Sequence, residues 1–451
     1  MKPMTDTMDA SVLAQAPGAG AGSDEATPPQ FSPAYRTYVL VALAVVGFMC
    51  SVDKVVITMF MEPIKKEFLL SDTQLGLMTG LAFALLGGLV SIPLARLADR
   101  GNRKWIISLS FVVWTFMTGI SGLATSFMFL LAARIGVGVG EAGCVPASHS
   151  MLSDYYPREL RGRAFGVHFC GVYLGMMGGL LGGGILVQTV GWRMGFIILG
   201  AIGMAMALIF HFTVREPLRL DPPPAATLGS SVWTQLGDLR CFFMLVFAFA
   251  FVGLAGSVSA WLPSYFERAF SMTPMAIGLG LGLGVGLASG IGALIGGQLT
   301  VKHAKGSRTW GARYSACISW AVLVPLIGSF YVPHPMLAMA LLFVTFLAAG
   351  TLAGPVFGTV QDLVTPAARA TAVAIIGVIG VVIGQGMGPL LVGVLSDAFN
   401  ASGVDGLRLS MTCVALINLL TGTFFWVLSR RIGRVYPALP AAPQASVERP
   451  V

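Results

Sequence analysis

Residues 153–167 read SDYYPRELRGRAFGV, and residues 361–375, at an offset of 208 positions, read QDLVTPAARATAVAI. The two stretches align without a gap, and each follows the fourth apolar segment of its half and opens the fifth. The matched identities are Asp154 with Asp362, Arg161 with Arg369 and Ala164 with Ala372. The recurrence predicts that the chain consists of two related halves.

The composition around this repeat is that of a membrane protein. Hydrophobic residues make up 55% of the 451 positions and charged residues only 11%, whereas soluble domains carry roughly 25% charged residues. Many apolar runs reach the length of about 18 residues that a bilayer core requires. Twelve spanning segments are predicted, at about 36–61, 73–95, 104–125, 127–152, 163–187, 193–213, 240–264, 275–300, 310–331, 335–358, 367–394 and 408–430.

These segments predict an all-α membrane protein of twelve transmembrane helices in two pseudo-symmetric six-helix bundles. A helix satisfies all of its own backbone hydrogen bonds, so it is the only spanning structure for runs of this length. The predicted bundles cover residues 35–213 and 240–431, with a cytoplasmic linker at 214–239. Residues 1–34 and 432–451, rich in Ala, Pro and polar residues, are predicted to be disordered cytoplasmic tails.

The distribution of Lys and Arg predicts the orientation of the chain. With the amino terminus inside, 21 of the 28 basic residues face the cytoplasm, 5 face the outside and 2 lie within helices. This split predicts that both termini are cytoplasmic. It also accounts for the formal charge of +8 without a nucleic-acid partner. We expect an integral protein of a bacterial inner membrane, acting as a monomer.

Neither a metal site nor a catalytic constellation is expected. The six cysteines are scattered singly in or beside apolar runs, as small core-filling residues are. No nucleophile and base are spaced as an enzyme would need. The sequence therefore predicts a non-enzyme with no cofactor and no metal.

Four charged residues lie inside predicted helices: Asp53, Lys54, Arg134 and Glu141. Burying a charge in hydrocarbon is costly unless it faces a partner or a wet cavity. Counting from the cytoplasmic helix ends places Asp53 and Arg134 at similar depth, which predicts an ion pair, with Glu141 nearer the bilayer midplane. The alternative is a purely structural network that joins the first and fourth helices.

The second half lacks these charges. At the 208-residue offset, the counterparts of Asp53, Arg134 and Glu141 are Trp261, Leu342 and Ala349. Desolvation favours a neutral carboxyl group, so Asp53 and Glu141 are predicted to bind protons. Lys54 and Arg134 suit an anionic group of a substrate. Candidates for the lining of the second half are Trp261, Tyr265, Thr351, Gln385 and Asn418, of which Trp261 and Tyr265 are predicted to contact substrate.

Two helices are unusually rich in glycine, at GVYLGMMGGLLGGG (171–184) and GLGLGLGVGLASGIGALIGG (278–297). Small residues at such spacing let helices approach closely. The pattern fits a flexible gating surface and plain close packing equally.

The loop PLARLADRGNRK (93–104) resembles the signature between the second and third helices of the major facilitator superfamily. The resemblance rests on Asp99, Arg100, Arg103 and Lys104. It implies a cytoplasmic gate, formed by Asp99, Arg100 and Arg103 with Asp154 as a partner for one of the arginines. The alternative is an ordinary basic cytoplasmic loop.

Longer stretches of the chain look like the Spinster-type transporters of that superfamily. They are DKVVITMFMEPIKKEFLLSDTQLGLMTGLAFALL (53–86), ARIGVGVGEAGCVPASHSMLSDYYPRELRGRAFGV (133–167) and GWRMGFIILG (191–200). The resemblance implies that Asp53, Arg134 and Glu141 occupy the charged core positions of the family. Lys54 replaces the usual arginine, and Cys50 stands where an asparagine is common.

The resemblance also implies a substrate class, because members of the Spinster family are associated with proton-linked movement of lysophospholipids or sphingosine phosphate. We predict a proton-coupled transporter that works by alternating access and moves an amphipathic anionic lipid such as a lysophospholipid. One alternative is a proton-coupled transporter of a small organic or sugar acid. The other is a membrane receptor or sensor that does not transport its ligand.

Overall fold

The computed structural model describes residues 31–218, 236, 238–303, 307–364, 369–403 and 405–436. Within these ranges the chain is helical and has no strand. Twelve helices, numbered α1 to α12, are long and apolar enough to cross a membrane. Their bounds are Pro33–Phe68, Asp72–Ala98, Arg103–Ser121, Phe127–Tyr155, Leu160–Thr189, Gly191–Thr213, Leu239–Phe270, Pro274–His303, Trp310–Tyr331, Pro335–Leu363, Ile375–Ala401 and Gly406–Val435. The predicted number and order of helices are confirmed.

Polar side chains fix where several helices begin. The hydroxyl of Ser32 accepts a hydrogen bond from the amide of Tyr35 at the start of α1, with Pro33 in the first helical position. Ser71 and Gln74 cap α2 reciprocally, as the sequence Ser-Asp-Thr-Gln allows. Asp238 caps α7. These caps satisfy amide groups that would otherwise lack partners at the ends of the membrane segments.

The helix ends differ from the predicted ones by a few residues. Helix α1 continues to Phe68, seven residues past the predicted end, and includes Lys65 and Lys66 in its last turn. Cations are stabilised there by the carboxyl-terminal end of the helix dipole. Helix α12 continues to Val435, into the predicted tail 432–451, whose residues after 436 lie outside the described part of the chain. The same holds for residues 1–30 of the predicted tail 1–34 and for most of the linker 214–239.

The repeat between the two halves has more than one offset, because the first helices of each half align at a spacing other than 208 residues. Leu69 and Ser271 end α1 and α7 with φ values of 53° and 52°, and Ser71 and Thr273 cap the helices that follow. Both pairs are 202 residues apart, so the counterpart of Asp53 is Ala255 and not Trp261. A six-residue shift therefore separates this part of the repeat from the later part. The counterpart remains uncharged.

Within the described residues, four stretches of the spanning helices are π-helical or 3₁₀, in addition to the short turns that interrupt α4, α9, α10 and α12. Leu77–Leu81 in α2, Gly282–Ala288 in α8 and Gly380–Met387 in α11 are π-helical, and Ser257–Trp261 in α7 is a 3₁₀ turn. π-Helical segments often occur at functional sites. All four of these segments lie where the halves meet, and three of the four lie in the second half.

The halves contact each other mainly through two helix pairs, α2 with α11 and α5 with α8, and α1 also contacts α7. The glycine-rich helices α5 and α8 pack on one another, and a Cβ at Gly278 would meet the backbone of Leu180. The outer part of α8, up to Ala288, contacts α5 far more than its cytoplasmic part, Ser289–His303. With sides named by the predicted orientation, the halves are therefore closed against each other towards the outside.

Candidate functional site

A cavity of about 420 Å³ lies between the two halves. The first half contributes the two cations Lys54 and Arg134 to its wall. The second half contributes Ser259 of the 3₁₀ turn and Gln385 of the π-helical segment of α11. Apolar side chains form much of the remaining wall, among them Val55, Phe83, Met176, Leu180 and Val285. The volume lies within the range of about 300–1,000 Å³ that is usual for ligand sites.

Asp53 on α1 and Arg134 on α4 lie side by side, as their predicted depths required. The Nη2 atom of Arg134 is 3.5 Å from Oδ2 of Asp53 and 3.4 Å from its backbone oxygen. On the other side of the carboxylate, Oγ1 of Thr118 on α3 donates a hydrogen bond of 2.7 Å to Oδ1. Arg134 is 2% exposed, and its guanidinium lies over the ring of Phe196.

A second ion pair joins the same two helices. The Nζ atom of Lys54 is 3.2 Å from Oε2 of Glu141, and the thiol of Cys50 donates to the same oxygen at 3.3 Å. This pair was not predicted from the sequence. Cys50 and Lys54 are four residues apart, so their side chains lie on one face of α1 and can reach the same carboxylate. The four charged side chains thus form two adjacent pairs between α1 and α4.

Two polar atoms of this cluster are buried and have no hydrogen-bond partner within the described part of the chain. They are Nη1 of Arg134 and Oε1 of Glu141. A buried polar atom without a partner is costly. The cluster therefore contains one cationic donor and one carboxylate oxygen whose hydrogen-bonding capacity is unused within the described residues.

The structure places Trp261 and Tyr265, predicted to contact substrate, outside the wall of the cavity. Both are buried in the core beneath the outer closure, at 0% and 2% exposure. The indole of Trp261 donates to the backbone oxygen of Pro389, and the hydroxyl of Tyr265 donates to that of Phe330. Their polar atoms are therefore occupied by backbone partners.

Of the other second-half candidates, only Gln385 reaches the cavity wall. The hydroxyl of Thr351 accepts a hydrogen bond from the hydroxyl of Tyr314. The side-chain amide of Asn418 donates to the backbone oxygen of Ala415 within its own helix. In the sequence, Gln385 is the single polar side chain in the glycine-rich stretch GVVIGQGM.

An ionic cluster closes the outer side, and sequence reasoning missed it. The guanidinium of Arg268 on α7 binds both carboxylate oxygens of Asp72 on α2 at 2.8 Å and binds Glu62 on α1 at 2.7 Å. Lys65 contacts Asp72 at 2.5 Å, and Ser396 on α11 donates to it at 2.7 Å. The carboxylate of Asp72 is fully buried by these contacts. The cluster joins both halves.

The predicted cytoplasmic gate is described in part. Arg103 is 1% exposed and forms an ion pair with Asp154. Its Nε atom also donates to Glu216 at 2.7 Å, and the other carboxylate oxygen of Glu216 accepts from the amide of Lys104. Glu216 was not predicted, although it opens the linker. The side chains of Asp99 and Arg100 lie outside the described residues.

Twelve spanning helices in two repeats around a central cavity, with an ionic closure on one side, define the class of a membrane transporter. The family model described as Major Facilitator Superfamily matches residues 43–389. The chain belongs to the major facilitator superfamily.

Its similarity to individual proteins extends over most of its length. It is 30% identical to an "MFS-type efflux pump" of Mycolicibacterium smegmatis, over 87% of this chain and 92% of that protein. It is 24% identical to the "D-galactonate transporter" of Escherichia coli O6:H1, over 86% of this chain and 94% of that protein. The crystal structure of a bacterial homolog to the human lysosomal transporter Spinster, inward-facing and unoccupied, matches with a TM-score of 0.82 and 29% identity. That match covers 91% of this chain and all of the other.

The predicted resemblance to Spinster-type transporters is confirmed by this match. The chain is a transporter and not an enzyme, as predicted. It is an integral membrane protein.

Proposed function

We propose that the protein moves an amphipathic organic anion, such as a lysophospholipid, across the membrane by proton-coupled alternating access. The observation that carries this proposal is the buried Arg134 on the wall of the cavity, with its Nη1 atom lacking a partner among the residues described. A guanidinium offers a fork of donors that suits phosphate or carboxylate. Lys54, on the same wall, adds a second cation.

Charge balance supports coupling to protons. Asp53, Lys54, Arg134 and Glu141 together carry no net charge when all are ionised. An anion placed among them adds one negative charge in a poorly solvated site, and binding of a proton by Asp53 or Glu141 restores neutrality. The unpartnered Oε1 of Glu141 is available for that proton. Anion and proton then bind together, and each favours the other.

The apolar part of the wall supports an amphipathic substrate. Val55, Met176, Leu180 and Val285 line the same cavity as the two cations. A hydrocarbon chain placed against them gains about 25 cal/mol for each Å² of apolar surface that it buries.

The test is uptake into proteoliposomes with and without an imposed pH gradient. Labelled lysophosphatidylglycerol, which carries one net negative charge, is the probe, and Asp53→Asn and Glu141→Gln are the variants. We expect the gradient to accelerate uptake by the parent protein and at least one variant to lose that acceleration while keeping exchange at equal pH. Glu67→Gln is the matched control, because Glu67 is also an ion-paired carboxylate but lies at the outer end of α1, paired with Arg193. Unchanged acceleration in both core variants would exclude the proton assignment.

A second candidate is a small organic or sugar acid. Ser257, Ser259 and Gln385 give the second half hydrogen-bonding groups at the cavity, which a hydroxylated anion would use. The similarity to a D-galactonate transporter points the same way. Competition of D-galactonate against lysophosphatidylglycerol separates the two substrates. A ligand that binds without any counterflow would instead support the receptor alternative.

We also propose that the protein is a monomer of a bacterial inner membrane with both termini in the cytoplasm. The excess of Lys and Arg on one side supports this orientation. Protease access to tags at both ends, in intact cells and in inverted vesicles, tests it.

A further inference from the structure

Thr118 lies behind the ion pair of Asp53 and Arg134, on the side away from the 420 Å³ cavity. It belongs to α3, which contributes no residue to the cavity wall. Thr118 is 2% exposed, and its hydroxyl donates to Oδ1 of Asp53 at 2.7 Å. The contact joins α3 to α1 at the depth of the charged cluster. Neither the sequence pattern nor the proposed transport cycle gave Thr118 a role.

The two oxygens of the Asp53 carboxylate have unequal partners. The bond from Thr118 to Oδ1 is 2.7 Å long, which is usual for a strong hydroxyl bond, whereas Arg134 is 3.5 Å from Oδ2. Thr118 therefore makes the shorter contact and orients the carboxylate from behind. The looser contact leaves Arg134 the freedom to bind another anion.

The hydroxyl of Thr118 is used differently from those of its neighbours. On the same helix, Thr115 donates to the backbone oxygen of Phe111 at 2.8 Å, and Ser121 donates to that of Met117 at 2.9 Å. Such local bonds are the usual choice of a buried hydroxyl in a helix. Thr118 instead donates to a side chain of another helix.

A small void borders this contact. It measures about 10 Å³ and is lined by Asp53, Thr118, Thr115, Trp114, Met49, Val52 and Leu199. A hydroxyl is both donor and acceptor, and free space lets it reorient when its partner changes from carboxylate to acid. The site thus accommodates both protonation states of Asp53.

We propose that Thr118 is a positioning residue that holds Asp53 as a carboxylate beside Arg134 and so sets the pH at which Asp53 takes up its proton. This inference rests on the proposed function. The charged groups facing Asp53 are Arg134 and Glu141 on α4 and Lys54 on α1. From α3 and α6, the residues that line the void beside Asp53 are uncharged. From α5, Gly179 packs against Val52, the residue before Asp53. A hydroxyl bond to a carboxylate is stronger than one to a neutral acid, so its loss makes protonation easier.

The test is an infrared titration of the full-length protein in dodecyl maltoside, a detergent without a carbonyl group. The signal is the carbonyl band of a protonated carboxyl that is absent from Asp53→Asn. In Thr118→Val, an isosteric change, we expect the midpoint of this band to move upward by about one pH unit, the size of one charge-assisted hydrogen bond. Thr118→Ser keeps the hydroxyl and is expected to titrate like the parent. Thr115→Val is the matched control one turn away, and we expect no shift.

Each outcome decides between the two claims. A midpoint in Thr118→Val that equals the parent's, while Asp53→Asn removes the band, overturns the role of Thr118 and leaves the proton assignment intact. If Asp53→Asn removes no band between pH 4 and 9, Asp53 does not take up a proton in this range. That result overturns the inference about Thr118 and removes Asp53 from the proposed proton sites. An equal shift in Thr115→Val would show a general packing effect and also overturn the inference. If Thr118→Val does not purify as a folded protein, Thr118→Ala is compared with Thr118→Ser in the same way.

Discussion

Replacing Arg268 with Gln is expected to open the outer side of the protein. Arg268 belongs to the second half and binds two carboxylates of the first half. It makes two contacts to Glu62, of 2.7 and 2.9 Å, and two contacts of 2.8 Å to Asp72. Its side chain is 26% exposed, and that of Asp72 is fully buried. The pairing is therefore weakly screened by solvent.

The expected loss of stability of the closed arrangement follows from the contacts that Arg268→Gln removes and from those that remain. Removing one partner of a buried ion pair costs about 3–5 kcal/mol. Here Lys65 and Ser396 continue to satisfy Asp72, and Lys66 still contacts Glu267 across the halves at 2.7 Å. We therefore expect a smaller loss, of about 2 kcal/mol, in the closed arrangement. This corresponds to a shift of about 30-fold towards an outward-open state.

Thiol accessibility measures the shift. Thr58 lines the cavity one turn below Glu62, so Thr58→Cys reports access from outside. Cys170, Cys317 and Cys413 are replaced by Ser in this background, since they are the cysteines that are not buried. A membrane-impermeant maleimide added to intact cells should label Thr58→Cys much faster when Arg268→Gln is also present.

The matched control is Arg193→Gln. Arg193 also lies at the outer side and binds a carboxylate, Glu67, at 2.5 Å, but both belong to the first half. Its loss breaks an ion pair without separating the halves, and the labelling rate should stay at the parent level. Equal labelling of the parent and Arg268→Gln, or equal acceleration by both arginine variants, would refute the assignment of Arg268 to the outer closure.

Two further predictions concern packing and pH. Gly80→Ala places a Cβ against the backbone oxygen of Gly386 across the halves, so we expect the same rise in outer labelling, whereas Gly182→Ala, with open space at its Cβ, should change nothing. Arg431 hydrogen-bonds Asp238 and holds the pKa of that carboxyl down at about 2. This contribution to stability is present above the ordinary value near 4 and is lost as the pH falls through 2, so Asp238→Asn should lower the melting temperature at pH 7 and match the parent in acid.

The sequence predicted the helices well because bilayer crossing imposes a length and a composition that can be read locally. It also predicted that Asp53 and Arg134 lie together, because both are at the same depth and neither is stable alone in hydrocarbon. It missed the pairing of Lys54 with Glu141. Axial depth alone does not give the rotation of one helix about its axis relative to another.

The outer cluster was missed for a related reason. In the sequence, the basic residues predicted to face the outside indicate only the orientation of the chain. In the structure each has a carboxylate partner: Lys65 with Asp72, Lys66 with Glu267, Arg193 with Glu67, Arg268 with Asp72 and Arg408 with Asp405. Two of these pairs cross between the halves. Contacts between residues some 200 positions apart depend on how the bundles dock, which no local pattern contains.

On the proposed mechanism, α1 links the proton site to the outer closure. Asp53 and Lys54 lie in its middle, and Glu62 lies nine residues later, about 13 Å along the same helix. Asp53 and Glu62 lie on one helix, Pro33–Phe68, and its internal proline, Pro63, comes after both of them. A tilt that accompanies protonation at Asp53 therefore also moves Glu62 relative to Arg268. The second half offers no charged counterpart in α7, where Ala255 occupies the equivalent position, but its helices carry the 3₁₀ and two of the π-helical segments at the interface. The first half would then respond to protonation. The second half would supply helices that bend at the interface, because their backbone hydrogen bonding departs from the α-helical pattern there.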